Sequence, residues 1–331
     1  MIADAHNDLL LELVLRRSDV NPFHAHWLPK LREGGVALQV CPLYAADVPA
    51  ADAPATARAQ VEQFERALRE NPDDVFAVRS RADLAQVGRD GRIGLMLAME
   101  GVEAVVSGFE EWWDAGVRMV GLTWNAATWA AGGIDTPEQG LTEPGRALVD
   151  ELVARGCVLD VAHASPHTFA EVLERARHVV CSHACCRALV DAPRNLSDEQ
   201  LRALADRGGV LGLMALALVV GYENATVDGL LDHLDHAVSV MGVEHVGFGT
   251  DVIDQVTAAT LEAGEPLVDV VAEALELGGG RMGLDGFTGP EHYPALVAGL
   301  RRRGYTGEEL EAITHGNFLR VFGAALCCGS C

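Results

Sequence analysis

Short apolar runs rich in β-branched residues recur along this chain, and stretches with helical spacing separate them. The runs are Ile2–His6, Val36–Cys41, Ile93–Glu100, Val117–Trp124, Cys157–His163, Val179–His183, Val210–Met214 and His245–Asp251. Most are nearly continuous rather than alternating, the pattern of parallel strands covered on both faces. Apolar residues recur at 3.6-residue spacing in Thr56–Arg69, Pro144–Arg155, Ser165–Arg177, Asp198–Arg207 and Val227–Met241. Eight strands alternating with helices predict an α/β fold, a closed (β/α)8 TIM barrel rather than an open sheet. A chain of 331 residues can build that barrel as one domain. No internal repeat and no linker rich in Pro, Ser or Gly divides it. One barrel domain is therefore expected over 1–324, with a flexible tail over 325–331. The Cys328-x-x-Cys331 spacing in that tail could hold a metal or cycle redox, although a lone terminal pair is a weak signal.

Charge narrows the function. The net charge of −23 argues against nucleic acid or an anionic membrane surface as partner, since both need clustered Lys and Arg. The first ten residues, MIADAHNDLL, lack a charged n-region, and the most apolar stretch, Gly209 to Gly221, is too short to span a bilayer. A soluble, cytoplasmic protein is expected, with its eight cysteines as reduced thiols. Cys185 and Cys186 read as packing residues.

Residue types that bind metal gather at the ends of four runs. His6 and Asp8 close the first, Glu100 the third, His163 the fifth and His183 the sixth. In a barrel these ends converge on the face where active sites sit. Strand alternation would send His6 and Asp8 to the same side. Imidazole and carboxylate suit zinc, and five such ligands exceed one open tetrahedral site. They fit two ions, one held by His6, Asp8 and Glu100, the other by Glu100, His163 and His183. Each residue also has a plainer reading. A lone His is often a hydrogen-bonded core residue, Glu100 could cap a helix, and Asp251 could be an N-cap. As a carboxylate facing the same mouth, Asp251 is instead a candidate general base. Arg194, in DAPRN, could be a surface ion pair.

These segments resemble the membrane (renal-type) dipeptidase family, peptidase family M19 of the amidohydrolase superfamily. DAHNDL is similar to its opening metal motif and AMEG to its bridging-glutamate motif. DVAHAS and CSHACCRALVDAPRN resemble the two later histidine motifs, HVGFGTD the catalytic-aspartate motif, and GNFLRVF a C-terminal pattern. The motifs occur in the family's order and cover essentially the whole chain. The resemblance implies two zinc ions per chain, bridged by Glu100 and a hydroxide and held by His6, Asp8, Glu100, His163 and His183. It implies Asp251 as acid and base, Arg194 as the grip on a substrate carboxylate, and a homodimer. Other amidohydrolases use a carboxylated lysine as the bridge; the single lysine here, Lys30, falls in a loop region, consistent with a Glu bridge. One departure concerns substrate contact. Many members carry a His after Leu-Thr at the fourth run, whereas Leu122-Thr123 here precedes Trp124 and Asn125, which take the substrate-binding position. Indole donates one hydrogen bond and carries no charge near neutral pH. MALALVV also lacks the family's polar and aromatic residues.

The expected activity is zinc-dependent hydrolysis of dipeptides or similar small amides. The alternatives are an amidohydrolase acting on an N-acyl amino acid, lactone or β-lactam, and a metal-binding homologue with little turnover. A phosphate-binding barrel isomerase would need Gly-rich loops after the last two strands, which MALALVV and GFGTDVIDQ do not provide.

Overall fold

Nine strands carry the apolar runs: β1 Ile2–Asp4, β2 Val36–Tyr44, β3 Val75–Ala77, β4 Ile93–Glu100, β5 Val117–Gly121, β6 Val158–Asp160, β7 Val179–Ala184, β8 Val210–Leu213 and β9 Val246–Phe248. The structure, a computed structural model, describes residues 1–327. All strand pairings are parallel, in the order β2-β1-β9-β8-β7-β6-β5-β4, and β4 pairs back onto β2. Eight strands thus close the expected (β/α)8 barrel. The ninth, β3, was not among the expected runs, because three residues, only the first of them fully buried, leave almost no pattern. It pairs with 93–95 of β4, while β5 pairs with 97–100, so the two share one edge of β4 end to end.

Packing follows from the strand alternation. One cluster joins Leu38, Val40, Met96, Ala98, Val158 and Val180 to Phe318 and Phe322 of the helix Asn317–Ala325, which plugs one end of the barrel. The other strand residues, such as Leu97, Leu159, Leu211 and Phe248, pack outward against the helices. Those helices begin where the sequence supplies caps. Thr142, Ser165, Ser197 and Thr226 each accept a hydrogen bond from the backbone N–H three residues on. The final helix reaches Ala325, and Leu326 is buried, so the chain is packed further than a tail at 325–331 implies. Cys328 and Cys331 lie outside the described residues. No helix among the described residues is long and apolar enough to cross a membrane.

Two local features shape the mouth. Glycines at 212 and 249 let β8 and β9 approach β7: a Cβ at either would overlap the main-chain carbonyl oxygen of Ser182. At the end of β4, Gly101 takes φ 83° and turns the chain, which brings Glu103 back against it. The Glu103 Oε2 atom is buried with no hydrogen-bond partner. Burial, reinforced by the Glu100 charge, pushes its carboxyl up to about 7.

Each feature has a measurable consequence. Gly249→Ala should lower stability by at least about 1–3 kcal/mol in denaturant unfolding, because a carbonyl cannot move aside as a side chain can. A wild-type midpoint would show that the strands can separate there. For Glu103, the raised folded pKa means stability is fully present below the unfolded value near 4.5 and is lost as pH rises through about 7. Glu103→Gln should therefore raise the melting temperature at pH 8 by more than at pH 5. An equal shift at both pH values would count against the buried, unpartnered carboxyl.

Candidate metal centre

The five expected donor side chains meet, and Asp251 joins them. Glu100 Oε2 lies 3.5 Å from His6 Nε2, while Glu100 Oε1 lies 2.9 Å from His163 Nε2 and 3.4 Å from His183 Nε2. Asp8 Oδ1 is 3.6 Å and Asp251 Oδ1 3.8 Å from His6 Nε2. One carboxylate therefore stands between two donor groups. Ligand atoms of His6, Asp8 and Asp251, and those of His6, Glu100 and His183, each fall within 4.8 Å of one another.

The strands deliver these residues less directly than the pattern implied. Only Glu100 and His183 lie within strands; β1, β6 and β9 stop at Asp4, Asp160 and Phe248, before His6, His163 and Asp251. Strand alternation therefore does not place His6 beside Asp8. Asp8 is the N-cap residue of the helix Leu9–Leu15, yet its side chain makes no capping bond, which leaves it free for the site. Asp251 is not a cap either, since the next helix starts at Asp254 behind Ile253. Hydrogen bonds still join the strand extensions, with Asp251 N donating to the His6 carbonyl at 3.0 Å. His163 and Asp251 hold φ of 61° and 50°. Such conformations cost about 1–3 kcal/mol each and persist where surrounding structure enforces them.

The protonation pattern follows from Asp160 and Ser182, which the sequence analysis did not single out, and from Asn125, which it placed at the substrate. Asp160 Oδ1 accepts from the backbone N–H groups of Ala162 and Ser182 at 3.0 and 2.9 Å, and its Oδ2 accepts from Ser182 Oγ. Ser182 Oγ, having donated, accepts from His183 Nδ1 at 2.7 Å. On the other side Asn125 Oδ1 accepts from His163 Nδ1 at 2.8 Å. Both imidazoles thus carry their proton on Nδ1, and both Nε2 atoms present lone pairs. Those two nitrogens face each other at 3.0 Å. With no hydrogen between them they repel, unless a cation shares them. His6 Nδ1, His6 Nε2 and Asp8 Oδ1 are likewise buried without a partner. Aspartates two or three residues before a ligand histidine, and a serine just before one, were visible in DAHND, DVAHAS and CSHA. Nothing in their spacing marked them as supports.

Electrostatics agree. Burial lowers His183 and His163, the latter to about 3, with Arg194 adding to the effect on His163, so both stay neutral donors. Burial opposes ionisation of Glu100, but the charge on His6 works against it, and the carboxyl is held well below the usual range. Burial also opposes charge on His6; Glu100, Asp8 and Asp251 overcome it and raise His6 well above its ordinary value. Asp251 is pushed well up by burial, and Asp8 and Glu100 add to that. Three buried carboxylates around one imidazole make a site that a divalent cation would neutralise, and the donor set of N and O atoms fits one.

A cavity of about 380 Å³ opens on these residues, lined also by Tyr44, Trp124, Asn125 and Arg194. Trp124 sits between Tyr44 and His163, with ring centroids 5.4 and 5.9 Å away. Asn125 lines the cavity but spends its Oδ1 on His163, so it supports that histidine. Arg194 is buried, donates to the His183 carbonyl at 2.9 Å, and has no carboxylate in ion-pair contact among the described residues. That rules out the surface ion pair. A buried guanidinium without an anionic partner is costly and suits an anionic ligand. Cys185 and Cys186 are fully buried, their thiols donating to the carbonyls of Met214 and His233.

Comparison with known proteins places this geometry. The family model for membrane dipeptidase (peptidase family M19) matches residues 1–276. Dipeptidase 3 of Rattus norvegicus is 27% identical over 350 residues, covering 97% of this chain and 64% of that protein. Dipeptidase verJ of Clonostachys rogersoniana is 25% identical over 79% of this chain and 63% of its own length. The chain thus spans a little under two thirds of these relatives. Among solved structures, the M19 metallopeptidase called dipeptidase AC superposes with a TM-score of 0.83, at 24% identity over 98% of both chains. A metallopeptidase from Rhodobacter sphaeroides, liganded with a phosphinate mimic of the dipeptide L-Ala-D-Ala, gives 0.82 at 23% identity over 98% of this chain and 99% of that one. The family model spans most of the barrel, and the chain belongs to the membrane dipeptidase family, peptidase family M19.

Proposed function

We propose that this protein is a dipeptidase working with two zinc ions, bridged by Glu100. The observation that carries the reading is the pair of Nε2 lone pairs of His163 and His183, 3.0 Å apart and both aimed at Glu100. His6, Asp8 and Glu100 would hold one ion, and Glu100, His163 and His183 the other. When bound, such ions polarise a carbonyl and lower the pKa of a water from 15.7 to about 7.

The remaining steps belong to the chain itself. Asp251 stands at the same gap and lines the cavity, so its carboxylate can accept a proton from the attacking water and return it to the leaving amine. Its left-handed backbone fixes where that proton is held. Arg194 offers an unpaired guanidinium for a free carboxylate, which limits substrates to short peptides ending near it. Asp47 and Asp135 line the same cavity and can receive a free ammonium group, which favours a dipeptide over an N-acyl amino acid. Trp124 adds an aromatic wall where an ionisable histidine would otherwise help to stabilise the oxyanion.

The test is hydrolysis of a library of L,L and L,D dipeptides by zinc-loaded protein. Turnover of free dipeptides is expected, and amidated C-termini should be poor substrates. Asp251→Asn should keep about two zinc per chain by elemental analysis while losing roughly 10²–10⁴-fold in kcat. Full zinc with no hydrolysis of any dipeptide would leave a binding protein. Undiminished activity in Asp251→Asn would remove Asp251 from the mechanism.

A further inference from the structure

The cavity has two unlike halves. Acidic and histidine side chains follow β1 to β6, and Asp251 follows β9. Along 214–218 and from 253 onward the wall turns apolar, and the segment 254–282 lies along it as two helices, Asp254–Ala263 and Asp269–Leu277. Leu216, Leu218, Ile253, Val256, Val271 and Met282 face the cavity there. Between 253 and 282 no charged side chain lines it, although Glu262, Glu265, Asp269, Glu273 and Glu276 all belong to this segment. The hydroxyl of Thr260, one of two polar side chains on this wall of 253–282, is already committed to the Val256 carbonyl at 2.8 Å. The wall therefore offers dispersion and water exclusion, with little for a polar group to bond.

Its position relates it to the anion grip. In the closed barrel β8 lies between β7, whose following loop carries Arg194, and β9, which leads to Asp251. Ala192 and Pro193 join the cavity lining beside Arg194. A residue whose carboxylate meets Arg194 thus lies next to the apolar half, and Asp47 and Asp135 also line the cavity and can receive the amine end.

We infer that this apolar half is a side-chain subsite, and that it selects dipeptides whose carboxylate-bearing residue is a bulky aliphatic or aromatic one. This rests on the dipeptidase reading for the substrate's two ends. A leucine side chain gains by leaving water there, and an aspartate loses its hydration with no partner in return. Differences of one or two apolar groups in such pockets are worth about ten- to two-hundredfold.

Two measurements on zinc-loaded protein decide it. The first compares kcat/KM for Gly-Leu with Gly-Asp, and Leu-Gly with Asp-Gly. The second compares calorimetric binding of free leucine with free aspartate, which needs no turnover. At least tenfold preference for leucine is expected in the Gly-Xaa pair and in binding. Val271→Asp should reduce or reverse the ratio, and Val271→Leu should keep it. Should Val271→Asp fail to fold, the wild-type ratios still decide. If no dipeptide is cleaved but leucine binds tenfold tighter, the subsite stands and the dipeptidase reading falls. If dipeptides are cleaved with no preference, or with preference only in the Xaa-Gly pair, the subsite assignment is overturned.

Discussion

The mutual repulsion of unprotonated imidazole nitrogens and buried carboxylates organises this molecule. His163 and His183 point lone pairs at each other, and Glu100 Oε1 lies 2.9 and 3.4 Å from those same two nitrogens. Such an arrangement stores unfavourable energy unless a cation sits among the donors. The fold supplies the rigidity that keeps it. A parallel barrel fixes where β4 and β7 end, and backbone hydrogen bonds extend the pairing past the formal ends of β1 and β9. Asp4 and Asp160 do similar work on opposite sides. Asp4 accepts from the backbone N–H groups of His6 and Thr250, and Asp160 from those of Ala162 and Ser182. Each carboxylate thereby ties one ligand-bearing turn to its neighbouring strand.

The side chains behind the donor cluster also set its chemistry. The chain Asp160–Ser182–His183 and the contact Asn125–His163 decide which nitrogen carries the proton. Partners of this kind orient ligands and raise their basicity. Arg194 is joined to the same structure through the His183 carbonyl, so it and the donor cluster share one support. The left-handed backbone at His163 and Asp251 fits a site whose geometry is imposed by its surroundings.

Much of this was legible in the sequence, for physical reasons. Strands buried on both faces leave long apolar runs, and capped helices announce their starts, so eight strands and five helices could be read. The ligand types stood out because His, Asp and Glu at the ends of apolar runs are conspicuous. Three residues of β3 left no such mark. The bends after β1, β6 and β9 were also hidden, because a left-handed His163 or Asp251 has no signature of its own. Asn125 reads as a cavity residue from its position after Leu-Thr, yet its oxygen serves His163. That choice depends on a ring 38 positions away in sequence. Likewise the apolar half of the cavity is assembled from 214–218 and 253–282, segments whose meeting only the closed barrel reveals.

The central claim is that the donor cluster exists to hold a pair of cations bridged by Glu100. The most direct check is an anomalous difference map from crystals of the zinc-loaded protein, collected on both sides of the zinc absorption edge. Two peaks are expected, one among His6, Asp8 and Glu100 and one among Glu100, His163 and His183. A map with no peak at these residues, or with Glu100 turned away from the histidines, would contradict the account.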